Sequence, residues 1–232
     1  TLTRREWETL CALAGDKGVL VLEAMRPEFL PGLAAVQAAV QSVAPVRYAQ
    51  FPYCQYSSRY DKFRAGIVEN AFDPTLGNGA LMDIGVYCAH WMVMLFGRPE
   101  TVEGSAVFLP GSIDAVGSLT ARYEGLIAHC DYSKVHDSAA PCRVEGENGT
   151  VELWPFPLPK QMRVTPRGQA AQEVSFGHQE QDMAYEITAF MRLCAHPADA
   201  EVFQQHTLHT LWVLDTVRAQ AGIDFVPKPT NA

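Results

Sequence analysis

Apolar residues recur along this chain with two different periods, and the change from one to the other marks where helices give way to strands. Trp7, Leu10, Cys11 and Ala14 fall at helical spacing behind Thr3-Arg4-Arg5-Glu6, a capping box in which the Thr3 hydroxyl accepts from the Glu6 N–H while Glu6 reaches back. This first helix should stop at Gly15-Asp16-Lys17-Gly18. Val19 to Leu22 is then a continuous apolar run of strand length, the pattern of a strand buried on both faces of a parallel sheet. One helix and one parallel strand cannot make a domain, so they call for partners. Phe29, Leu33, Val36, Ala39 and Val40 fit a second helix, Val46 to Tyr56 alternates like a strand, and Leu81 to Phe96 is a nearly all-apolar helix stopped by Gly97-Arg98-Pro99.

From Thr101 to Phe176 the pattern is one of short strands: Thr101 to Leu109, Ala115 to Tyr123, Leu126 to Ser133, Cys142 to Glu145, Thr150 to Leu153, Gln161 to Thr165 and Glu173 to Phe176. Tyr123-Glu124-Gly125-Leu126 and Glu147-Asn148-Gly149-Thr150 read as hairpin turns, since Gly and Asn tolerate the positive φ that tight hairpins require. Links this short force antiparallel pairing. Two more helices, near Gln181 to Cys194 and Glu201 to Ala221, close the pattern before Gly222 and Pro227. The expected fold class is α+β, a large and predominantly antiparallel sheet with helices gathered on one face. The bare face of such a sheet would need a cover.

Composition narrows the functions available. Hydrophobic residues make up 48% of the 232 and charged residues 19%, the balance of an ordinary globular protein. A formal charge of −8 argues against a nucleic-acid or anionic-membrane partner, either of which would reward clustered Lys and Arg. No apolar run approaches the roughly 20 residues that cross a bilayer, and the expected compartment is the cytoplasm. The six cysteines are widely spaced and form no Cys-x-x-Cys, as expected of reduced thiols rather than a disulfide framework. His206-x-x-His209 puts two imidazoles on one helix face, but no further ligand is spaced to close a metal site.

The candidate chemistry lies in Gly77-Asn78-Gly79-Ala80-Leu81-Met82-Asp83-Ile84-Gly85-Val86-Tyr87. The glycines allow a tight turn that brings a helix N-terminus close to a ligand, and a carboxylate and a phenol four residues apart share a helix face. Acid and proton donor beside such a turn point to proton or hydride chemistry. On spacing alone, Asp83 could equally cap the helix and Tyr87 could equally be core.

The same segment resembles the Gly-Gly-Ala-Leu-x-Asp-Ile-Gly-x-Tyr/His motif of the glucose-fructose oxidoreductase, inositol dehydrogenase and rhizopine-catabolism (Gfo/Idh/MocA) family of nicotinamide-dependent oxidoreductases. Upstream, Gly18 to Pro27 is similar to the family's last nucleotide-domain strand and crossing, and Ser58-Arg59-Tyr60-Asp61 with Phe72-Asp73-Pro74 resembles one branch of it. Downstream, Val144-Glu145-Gly146-Glu147-Asn148-Gly149-Thr150-Val151 is similar to its Ile-x-Gly-x-x-Gly-x-Ile hairpin and Tyr185 to Phe190 to its late helix. Two positions depart from the pattern: Asn78 replaces a glycine, and Ala71 stands where many members carry arginine.

The resemblance implies that residues 1–25 are the remnant of a Rossmann dinucleotide-binding domain and residues 26–232 a substrate-binding and oligomerisation domain. The chain has no Gly-x-Gly-x-x-Gly, and it begins after the family's Glu-Lys-Pro lysine. NAD or NADP is therefore expected in a full-length parent and no cofactor in this chain alone, which is expected to be inactive by itself. Asp83 and Tyr87 would be catalytic on a sugar, polyol or diol, and the sheet's open face would meet a second subunit. Arg26, at the carboxyl end of the apolar run, would reach cofactor, or else form a surface pair with Glu23 or Glu28. Arg59 and Lys134 could anchor a substrate or remain solvated loop cations, and His90 could shuttle protons or pack the helix. The competing reading is a non-enzymatic ligand-binding or oligomerisation module. A hydrolase is disfavoured by the lack of any Gly-x-Ser-x-Gly elbow.

Overall fold

The fold was taken from a computed structural model, in which residues 1–177 and 181–225 are described. Helix α1 (Arg4–Lys17) begins with the expected box: the Glu6 N–H donates to the Thr3 hydroxyl at 3.2 Å while the Thr3 N–H donates to the Glu6 carboxylate at 3.3 Å. It ends in a left-handed Gly18, with the Val19 N–H bonded to the Ala14 carbonyl. Trp7 and Ala14 are buried, but Leu10 is 41% exposed.

Residues 19–25 form no strand, contrary to the expectation for Val19 to Leu22. No strand lies alongside them among the described residues, and the Val21 carbonyl accepts instead from the Gln204 side chain at 3.1 Å. A tight 3-10 turn (Arg26–Phe29) and α2 (Leu33–Ser42) follow, so Phe29 lies outside the helix that its spacing suggested.

The sheet holds eight strands: β1 (Val46–Cys54), β2 (Thr101–Leu109), β3 (Ile113–Tyr123), β4 (Leu126–Ser133), β5 (Cys142–Gly146), β6 (Gly149–Trp154), β7 (Gln161–Pro166) and β8 (Gln172–Ser175). Their order is β2-β3-β4-β1-β5-β6-β7-β8, two antiparallel meanders joined by β1. All pairings are antiparallel except β1 with β4, which sets Ala49 beside Ala128 and Phe51 beside Cys130 in parallel register. An early strand in mid-sheet leaves no edge between the meanders.

The alternating positions Ala49, Phe51, Leu119, Ala121, Ala128, Cys130, Val144 and Val151 are all buried under helices. Against them packs α4 (Val86–Phe96), in which Cys88 to Met94 are buried without a break because α6 (Glu201–Ala221) covers its other side. That is why its apolar character runs all the way round. Trp91 is fully enclosed and its indole N–H donates to the Pro157 carbonyl at 2.8 Å. α6 approaches β2 so closely that a Cβ on Gly104 would stand 2.7 Å from Val217. Two further helices complete the chain, the short exposed α3 (Tyr60–Arg64) ahead of the site in sequence and α5 (Met183–Ala195) after the last strand.

The opposite sheet face is polar rather than apolar. Gln50 donates to Asp131 at 3.0 Å and accepts from Arg143 at 2.9 Å, Thr120 and His129 are 2.8 Å apart, and Arg163 pairs with Glu173 at 2.7 Å. Hydrogen-bonded charges of this kind give the face a solvated state that an apolar sheet would lack. No helix among the described residues is long and apolar enough to cross a membrane. Pro227, expected to follow the last helix, lies outside the described residues.

The turn ahead of α4 contains one of the tightest close approaches in the fold. A Cβ on Gly79 would fall 1.8 Å from an Asp114 carboxylate oxygen. Gly79→Ala should therefore lower unfolding free energy by about 1–3 kcal/mol in a denaturant titration, the usual cost of overpacking. Gly15→Ala, in a helix with nothing within 4 Å of the new methyl, should be neutral or stabilising. Equal effects of the two substitutions would contradict this packing account.

Candidate active site

The site is built on the entry to α4. Gly77 adopts a left-handed φ of 69°, as the glycine-rich turn requires, and Asn78 anchors the turn by donating to the Asn70 carbonyl at 2.6 Å. The helix then opens not as an α-turn but as a π turn over Leu81–Gly85. Its free N–H groups are met from across the fold: the Leu81 N–H donates to Asp114 at 2.7 Å. The cap is thus a β3 carboxylate, and Asp83 is left for another role. Gly85 in this turn allows contact with the Tyr132 ring, where a Cβ would stand 3.0 Å away.

Asp83 and Tyr87 are brought together. The Asp83 carboxylate is 45% exposed and its Oδ2 pairs with the Lys134 ammonium at 2.9 Å. The Tyr87 hydroxyl has no hydrogen-bond partner among the described residues, and its ring packs edge-on against Tyr53 with centroids 5.9 Å apart. Burial raises the Tyr87 phenol above its ordinary value; Arg26 opposes the shift, and the charges of Asp83 and Glu186 add to it. Tyr53 is raised chiefly by burial too, and by Tyr87 and Asp83.

Arg26 stands beside this pair, but its ion-pair partner is Asp182, just ahead of α5, rather than Glu23 or Glu28. Its side chain remains 36% exposed, with Nε buried. Arg59 lies on the exposed α3 segment and pairs with Glu69 at 3.8 Å, beside Lys62 on the same carboxylate at 2.7 Å. The structure does not join Arg59 to the Asp83–Tyr87 pair.

Lys134 is not the solvated loop cation that its residue type suggested, and His90 takes the helix-packing alternative. Lys134 is 1% exposed; its ammonium donates to the Ala71 carbonyl and lies 4.8 Å over the Phe72 ring. His90 is fully buried, because α6 covers the side of α4 on which it falls. Its Nδ1 meets the Thr210 hydroxyl at 3.0 Å, and its Nε2 lies 3.4 Å from Glu28, which His206 also engages. Burial alone would raise the Glu28 carboxyl, but hydrogen bonds and charge from the two histidines bring it below the ordinary value. His206 is thus engaged with a carboxylate, and no group of three or more metal-ligating side chains converges among the described residues. The cysteines are free, with Cys88, Cys130 and Cys142 buried and Cys194 exposed.

Sequence reasoning missed Tyr53, Asp114, Asp182 and Glu186. Tyr53 sat in an expected strand with nothing to mark it, and the acids reach the site only through tertiary packing.

The α+β sheet, its glycine turn and the helix entry bearing a carboxylate and an unpaired phenol all lie in the stretch that known oxidoreductases match. The description "GFO/IDH/MocA C-terminal domain" matches residues 53–152, which contain Asp83, Tyr87 and Lys134. The scyllo-inositol 2-dehydrogenase (NADP(+)) IolU of Bacillus subtilis strain 168 is 34% identical over 222 residues, covering 94% of this chain and 67% of that protein. The oxidoreductase YgjR of Escherichia coli K12 is 31% identical, covering 95% and 67%. The chain belongs to the Gfo/Idh/MocA family of oxidoreductases and spans about two thirds of the length of these relatives. The same fold occurs in the 3-ketoreductase KijD10 of Actinomadura kijaniata, solved with NADP and TDP-benzene, at a TM-score of 0.82 and 17% identity over 95% of this chain and 68% of that one. It also occurs in aldose-aldose oxidoreductase of Caulobacter crescentus, at 0.80 and 18% over 96% and 68%.

The direction of the Tyr87 shift can be read directly. In a difference titration of phenolate absorbance, native chain minus Tyr87→Phe should show an ionisation midpoint above the ordinary phenol value of 10.0. A midpoint below that value would mean that Arg26 outweighs burial.

Proposed function

We propose that this chain is the substrate-side part of an NAD(P)-dependent oxidoreductase acting on a hydroxyl or carbonyl carbon of a sugar, polyol or diol. Residues 1–25 belong in this reading to a dinucleotide-binding domain and residues 26–232 to the substrate domain. The observation that carries it is the unpaired Tyr87 hydroxyl set between the Asp83 carboxylate and the Arg26 guanidinium. Support for the substrate class comes from the polyol named for IolU and from trans-1,2-dihydrobenzene-1,2-diol dehydrogenases that align over shorter stretches, 60% of this chain in the Xenopus tropicalis protein.

The donor set fits the reacting end of a nicotinamide cofactor: a phenol, a half-exposed carboxylate and an arginine side chain more than a third open. When bound, the nicotinamide supplies or accepts the hydride. Tyr87, kept protonated by burial, holds the proton at its hydroxyl oxygen and delivers it to a carbonyl oxygen as that atom gains charge. In the oxidation direction a neighbouring cation must first lower the phenol. Asp83 accepts from an adjacent substrate hydroxyl and so orients the reacting carbon. Arg26, held by Asp182, faces the cofactor side of the pair.

The same reading places the protein in the cytoplasm and pairs subunits through the polar sheet face, where the Gln50–Asp131–Arg143 lattice would supply hydrogen bonds rather than apolar area.

By itself the chain should neither bind NAD(P) tightly nor turn over sugars, since it carries no glycine-rich phosphate turn. Joined to a dinucleotide-binding domain it should do both. There Tyr87→Phe should cut turnover by about a hundredfold or more, the contribution of general acid–base transfer, with cofactor affinity nearly unchanged. Calorimetry and nicotinamide absorbance check both statements. Submicromolar cofactor binding by the chain alone would overturn the domain reading, and an unimpaired Tyr87→Phe enzyme would remove Tyr87 from the reaction. Absence of any turnover in the joined protein, with ligand binding retained, would favour the non-enzymatic module.

A further inference from the structure

Lys134 is the one fully enclosed lysine among the described residues, and nothing about its packing alone explains its charge. The side chain leaves the end of β4 at 1% exposure, where an ammonium is expensive to hold without compensation. Three groups compensate it: the Ala71 carbonyl, the face of Phe72 at 4.8 Å and the Asp83 Oδ2 at 2.9 Å. Its charge also bears on Asp114, the carboxylate that caps the helix carrying Asp83. A methionine would fill the same space, and replacing a buried ion pair by packed apolar groups is often neutral or stabilising. Stability is therefore a poor reason for a lysine here.

The partner's geometry supplies a better one. Asp83 is 45% exposed, and a free aspartate with that much of its side chain open would sample several rotamers. With Oδ2 fixed to an immobile ammonium, Oδ1 is left without a partner among the described residues and is presented in one orientation. The same ammonium ties that carboxylate to the Ala71–Phe72 turn, which Phe72 anchors by stacking on Phe63 and Tyr60 at 5.1 and 5.8 Å.

We propose that Lys134 is a positioning residue: its buried ammonium fixes the Asp83 carboxylate so that one oxygen faces substrate, and links that orientation to the loop preceding the glycine turn. The proposal rests on the oxidoreductase reading of Asp83. It assigns Lys134 no contact with substrate.

The test is a double-mutant cycle in the protein joined to its dinucleotide-binding domain. Lys134→Met should lower kcat by about a hundredfold, the order of loss that a displacement of about 1 Å can cause, and change substrate KM by less than about threefold. Placed on Asp83→Asn it should cost almost nothing further, because both remove one device. Lys134→Ala should regain activity with added ethylammonium, which no purely structural defect predicts. In the chain alone, the 13C carboxyl resonance of Asp83, assigned through Asp83→Asn, should move in Lys134→Met. Should that variant not fold, Lys134→Gln keeps the stem and a donor for the Ala71 carbonyl while removing the charge, and serves in the same cycle. Losses that add in the double mutant, an unimpaired Lys134→Met, or an unmoved Asp83 resonance would each overturn the proposal. An unimpaired Asp83→Asn would instead sink the reading of Asp83 itself, and the role of Lys134 with it.

Discussion

The carboxylate of Asp114 is the interaction on which the site depends. It projects from β3 at 1% exposure and receives the Leu81 N–H at 2.7 Å, fastening the first turn of the helix to the sheet. Burial raises this carboxyl, while the Leu81 N–H and the Lys134 charge act in the opposite sense. A buried acid with those partners can hold a helix entry in one place, and the place it fixes excludes any side chain at position 79. The π turn over Leu81–Gly85 follows from that anchorage, and with it the angular relation of Asp83 to Tyr87.

Two charges then define what the pair can do. Lys134 engages Asp83 from within the protein, and the charge of Arg26, which Asp182 holds, acts on Tyr87. Burial outweighs Arg26 in setting the phenol, so Tyr87 enters any reaction as a proton donor unless a further cation joins it.

Local signals were legible in the sequence and long-range ones were not. The capping box at Thr3 and Glu6, the glycine turn at 77 and 79 and the hairpins at Gly125 and Gly149 each depend on residues within a few positions of one another, and each occurs as its chemistry demands. The parallel partnership of β1 with β4 joins strands some eighty residues apart, and no local period encodes it. Val19 to Leu22 carried a strand pattern, but a strand is completed by neighbours, and none adjoins it among the described residues. His90 took the packing alternative that its place in an apolar helix offered, whereas Lys134 was read from residue type as a loop cation and the fold enclosed it beside Asp83. Asp83 and Tyr87 were legible because a helix fixes the relation of residues four apart, even when its first turn is a π turn.

The central claim is that the helix entry at Asp83 and Tyr87 is where a substrate oxygen reacts. A crystal structure of the chain joined to its dinucleotide-binding domain, with an oxidised nicotinamide cofactor and a cyclic polyol trapped together, tests it most directly. The account predicts the reacting carbinol oxygen within about 2.6–3.2 Å of the Tyr87 hydroxyl, the reach of a proton transfer, with an adjacent hydroxyl on Asp83. A polyol seated on another face of the domain, with Tyr87 facing only solvent, would contradict it.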